Sequence, residues 1–217
     1  MFRHIVSNEL FTILLMVGLV VVAAAKLMSP KRFDDFILVL GNDKYLKIYS
    51  RDQKFFDKFD ALLFGNLILS ILVFCLISLR HVSNSYSYNL SLNDMFKLFV
   101  AIAVFILIKV LVERLIGSLF EIDQLVDQYI FHKISFKNYL GLILLPINAL
   151  MLYSFTPNTT IIFSIIGLLL ILNIVGLLSS LKSYQSLIKH NIFYFILYLC
   201  ALEFAPYVIL YKVFIDK

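Results

Sequence analysis

Six stretches of this chain are apolar over enough consecutive residues to cross a lipid bilayer, and that constrains the fold more than anything else in it. A helix needs roughly 20 apolar residues to cover about 30 Å of hydrocarbon. The runs are 10–25, 61–79, 95–116, 139–155, 160–181 and 191–211, joined by short polar loops. With 61% of residues hydrophobic and only 15% charged, and a mean hydropathy of +0.93, a water-soluble globule is excluded. Such a globule would expose large apolar patches that only lipid can cover.

The first run follows Arg3 and ends in Ala23, Ala24 and Ala25, a pattern resembling a secretory signal. The same alanines give a smooth face for close helix packing, and the run is read as a retained span. Orientation follows from the loop charges. Lysines and arginines concentrate between Lys26 and Lys58, at Lys133 and Lys137, and at Lys182 and Lys189, which marks these loops as cytoplasmic. Both termini then face outward. Run 95–116 carries Lys109, Glu113 and Arg114, yet removing it would break the alternation of sides, so it is kept. The expected fold is a single all-α membrane domain over residues 1–217. It has six transmembrane helices, N-out and C-out, with amphipathic cytoplasmic helices between spans one and two.

The loop at 29–60 has an apolar stripe. Phe33, Phe36, Ile37 and Leu40 recur at the i, i+3, i+4, i+7 spacing of an amphipathic helix. Gly41 ends it, and Asn42 or Asp43 can cap a second helix. In that second helix Tyr45, Ile48, Tyr49, Phe55, Phe56 and Phe59 carry the stripe toward span two. Two readings stand: an interfacial belt lying in the headgroups, or a surface on which another protein docks through Phe33, Phe36, Ile37, Tyr45, Tyr49, Phe55 and Phe56.

Ionisable groups at bilayer depth cost roughly 2.5 to 3.5 kcal/mol on insertion scales, so each needs a partner, a water path or a neutral state. Glu203 sits near the middle of the sixth run with Pro206 three positions on. It is read either as a helix-locking carboxyl or as an ion site. Lys109 can pair with Glu113 one turn away, which the spacing favours, or with Glu203; Arg114 can snorkel to the interface. A polar stripe through Gly117, Glu121, Gln124 and Gln128 predicts that span three continues into the cytoplasm as one helix. Asn66, Asn148 and Asn173 place one amide in each of spans two, four and five, and Pro146 lies beside Asn148. Interhelical hydrogen bonds are their expected role.

Other classes find little support. The net charge of +5 is explained by topology, so nucleic acid is not an expected partner. Cys75 and Cys200 lie far apart inside apolar runs, and His4, His81, His132 and His190 fall at span ends or in loops. No disulfide framework, metal site or haem ligation follows from them. Without HExxH, GxSxG or Walker A patterns, no enzyme and no cofactor is expected.

Phe33-Asp34-Asp35-Phe36, Asn42-Asp43-Lys44-Tyr45 and Tyr49-Ser50-Arg51-Asp52-Gln53 in the first loop resemble segments of a known group, as does the stretch from Phe195 to Pro206 in the last run. The sequence is similar to an uncharacterised family of small multi-pass inner-membrane proteins from the Bacteroidota, a domain of unknown function. That resemblance implies a bacterial cytoplasmic membrane and supplies no reaction or ligand. The expected role is a non-enzymatic subunit or accessory protein of a larger envelope complex, such as secretion or gliding machinery, in contact with lipid and other membrane subunits. The alternative is a small ion-coupled transporter or channel centred on Glu203.

Overall fold

A computed structural model describes residues 9–42, 44–50, 57–82, 92–119, 123–155 and 158–184. The sixth apolar run with Glu203 lies outside them, as do Phe55 and Phe56. The described residues form seven helices: α1 (Glu9–Met28), α2 (Pro30–Ile37), α3 (Lys44–Tyr49), α4 (Lys58–Val82), α5 (Leu92–Leu119), α6 (Asp123–Tyr153) and α7 (Thr159–Tyr184). Five of them, α1 and α4 to α7, are long and apolar enough to cross a membrane, and each contains most or all of one of the first five apolar runs.

Local chemistry sets the ends. Glu9 opens α1 and Lys26 closes it, while Asp60 sits in the first turn of α4 with Arg80 and His81 in its last. Each charge complements the helix dipole at its end. Pro30 occupies the start of α2, where its missing N–H is no loss. The Asn42 side chain accepts a bond from the Lys44 N–H at 2.9 Å, which satisfies the first N–H of α3. The first loop helix stops at Ile37 rather than at Gly41, because the chain turns through bonds from Gly41 and Asn42 N–H to the Leu38 carbonyl.

Two expectations are corrected. Span three does not run on as one helix: α5 ends at Leu119 and α6 begins at Asp123, so the chain doubles back. Gly117 permits the close return, since a Cβ there would lie 2.8 Å from that of Val126. The stretch holding His132, Lys133 and Lys137 is therefore no loop but the first half of α6, which at 31 residues is about 46 Å long.

The other correction concerns 29–60. Among the described residues, most of the aromatic stripe is covered by this chain's own helices and not left for lipid or for another protein. Phe33, Phe36, Tyr45 and Leu46 are buried in one cluster with Ala25 of α1, Phe59 and Leu63 of α4, and Phe131 and Phe136 of α6. The Phe36 ring meets those of Tyr45, Phe59 and Tyr139 edge-on, and Tyr45 stacks on Phe131. Each such burial contributes roughly 1.5–3 kcal/mol. Of the expected docking residues, Ile37 is exposed and Tyr49 half-buried.

The parallel pair α4 and α6 forms the centre. Of their apolar stretches 56% and 44% are buried, against 22% for α1 and 11% each for α5 and α7. A second apolar cluster, built from Phe11, Leu15, Leu72, Leu76, Leu144, Met151 and Ile162 among others, closes the opposite end. There Thr12 and Tyr153 share a hydrogen bond of 2.5 Å between their hydroxyls.

Candidate functional site

Three polar groupings interrupt the apolar bundle. The first fixes the 29–60 segment to α4. Arg32 donates from Nη1 to Asp57 at 2.6 Å and from Nη2 to Asp60 at 2.8 Å, with its guanidinium 4.9 Å from the Tyr49 ring centre and 4.8 Å from that of Phe59. A planar, delocalised cation suits this combination of fork and aromatic faces. The Tyr45 hydroxyl donates to the other Asp60 oxygen at 3.4 Å. Burial, and then the Asp60 carboxylate, push that hydroxyl well above the ordinary tyrosine range, so Tyr45 is held neutral as a donor. From the sequence alone Arg32 reads only as a topology charge. The usable signal was Asp57 and Asp60, one turn apart at a helix start flanked by aromatics.

The second joins α5 to α6. Lys133 Nζ donates to Glu113 Oε1 at 2.5 Å, and their side chains are 6% and 2% exposed. Glu113 thus pairs with a residue of the neighbouring helix, not with Lys109 as spacing favoured. Lys109 is itself buried, at 6% exposure. Arg114 Nε lies 3.4 Å from Asp127, both side chains 43% exposed, so it leans outward to a partner on α6. A narrow cleft beside the buried pair is lined by Phe64, Leu67, Val110, Ile130 and Lys137. In the sequence Lys133 reads only as a cytoplasmic loop charge, and nothing local points to Glu113 as its partner.

The third lies between α4 and α6. Asn66, Asn138 and Asn148 are fully buried, as are Ser70 and Ser135. Asn148 Nδ2 donates to the Ser70 carbonyl oxygen at 2.8 Å, the interhelical bond expected of an amide in this span. Asn173 is half-buried on α7. Asn138 belonged to no predicted span and was missed.

Among the described residues no three His, Cys, Asp or Glu side chains converge as a metal site would need. The arrangement holds helices together through buried charge pairs and amides, and its five membrane-length helices are the mark of a helical membrane protein. The chain belongs to the family described as "Domain of unknown function (DUF4271)", whose model matches residues 11–214. Neither the curated proteins nor the solved structures gave a match.

Proposed function

We propose that this protein is a non-enzymatic, multi-pass subunit or accessory protein of a larger assembly in a bacterial inner membrane. The observation that carries this reading is the surface left open on α5 and α7, where only 11% of each apolar stretch is buried. Phe96, Ile108 and Leu111 on α5 are 54–65% exposed, and Phe163, Leu170 and Ile171 on α7 are 56–68% exposed. These two outer helices offer a contact area for neighbouring subunits, while α4 and α6 keep the bundle rigid behind them. The charges nearest the spans are spent on internal pairs, Glu113 with Lys133 and Arg32 with Asp60, as a scaffold requires. In this reading six spans place 29–60 and 182–190 in the cytoplasm. The resemblance to Bacteroidota membrane proteins makes secretion or gliding machinery the host to test first.

Tagged full-length protein recovered from native membranes tests the proposal. A stoichiometric partner that is lost when Ile108 and Leu111 are both changed to Trp, with thermal stability unchanged, supports it. A second reading, a small ion-coupled transporter centred on Glu203, draws on the buried Lys109 and on the amides between α4 and α6. Recovery of the protein alone, with a melting temperature that depends on sodium or on pH, favours that reading.

A further inference from the structure

The amides at the centre of the bundle ask for a ligand that no described side chain supplies. Asn66 and Asn138 are 0% exposed, and among the described residues neither the oxygen nor the nitrogen of either amide has a hydrogen-bond partner. The Ser70 hydroxyl and the Asn148 oxygen are in the same condition. Buried polar atoms in native proteins are almost always bonded, and hydrocarbon offers them nothing.

These groups share one seam. Asn66 and Ser70 stand one turn apart on α4, and Asn138 and Asn148 lie on α6. The two helices are tied at this level by the bond from Asn148 to Ser70 and by the seating of Gly141 on Leu67, whose Cα would lie 2.6 Å from a Cβ on that glycine. The Asn66 oxygen faces α1, 3.4 Å from where a Cβ on Gly18 would sit, so a third helix closes the seam. Apolar clusters cover it at both ends.

The chemistry of the unmet atoms selects the occupant. A metal cation would serve the amide oxygens but leave the amide nitrogens unbonded, and an apolar molecule would serve neither. Water both donates and accepts. We propose that α1, α4 and α6 enclose internal water molecules bound between Asn66, Asn138, Ser70 and Asn148, a hydrated seam between the central helices. The inference does not depend on whether the protein works as a scaffold or as a transporter.

Radiolytic hydroxyl labelling of the full chain in lipid nanodiscs reads internal water directly, because radicals form where water is held. Leu67 and Ile68 lie between Asn66 and Ser70, while Leu76 and Ile77 lie farther along the same helix in the apolar cluster, and all four are at most 4% exposed. Labelling of the first pair several-fold faster than the second is the expected result; equal rates overturn the proposal. Asn66→Leu and Asn138→Leu supply an independent test. Displacing bound water lowers the melting temperature by about 3 °C or more, whereas dry, unbonded amides would make leucine stabilising. A melting temperature that rises in sodium or potassium over choline would mark a cation instead and equally overturn the water assignment.

Discussion

Glu113 of α5 and Lys133 of α6 meet at 2.5 Å with almost no exposure to solvent, and this pair fastens the two arms of the helical hairpin on either side of 120–122. Removing one member leaves a buried charge without its counter-charge, which costs about 3–5 kcal/mol. Glu113→Gln and Lys133→Met are each expected to lower stability by that order. The double variant should recover most of the loss, as a double-mutant cycle on thermal unfolding in detergent will report.

Arg32 should tolerate no replacement, including lysine. Lysine keeps the charge but loses the fork that holds Asp57 and Asp60 together and the stacking on Tyr49 and Phe59. Arg32→Lys is expected to cost about 1–2 kcal/mol and to open 29–60 to limited proteolysis. Asp57→Asn should cost less than about 1 kcal/mol, because the Asp57 side chain is 58% exposed and its pairing is screened.

Two glycines in the membrane-length helices should respond in opposite senses. A Cβ at Gly141 would press on the Leu67 backbone at 2.6 Å, and backbone cannot swing aside, so Gly141→Ala is expected to destabilise by about 1–3 kcal/mol. Gly65 has nothing within 4 Å of such a Cβ. Gly65→Ala should be neutral or stabilising by up to about 1 kcal/mol. Melting temperatures of the two variants in one detergent decide this.

Topology yields to single cysteines. In intact spheroplasts a cysteine at Ser85 should react with an impermeant thiol reagent and one at Ser50 should react only after lysis. The reverse pattern would invert the orientation drawn from loop charge.

The five described membrane-length helices were legible in the sequence because length and hydropathy are local properties. What escaped is non-local. The front half of α6 reads as a basic loop until Lys133 is seen to face Glu113, a partner 20 residues away. Arg32 and Asp60 are 28 residues apart and look like independent surface charges. The stripe of Phe33, Phe36 and Tyr45 was recognised, but periodicity shows only that a face must be covered, not whether lipid, a partner or this chain's own α6 covers it. Of the candidate site, Glu113, Lys109 and Asn148 were identified as buried polar groups, although the partner of Glu113 was misjudged from same-helix spacing.

The claim that this protein serves as an assembly subunit meets its most direct test in photo-crosslinking from the open helices in native membranes. A photoreactive residue at Ile108 of α5 or Ile171 of α7 should yield a discrete protein adduct of fixed mass, absent when the photoreactive residue is placed at buried Leu76. Adducts to lipid alone from both outer positions would contradict the account.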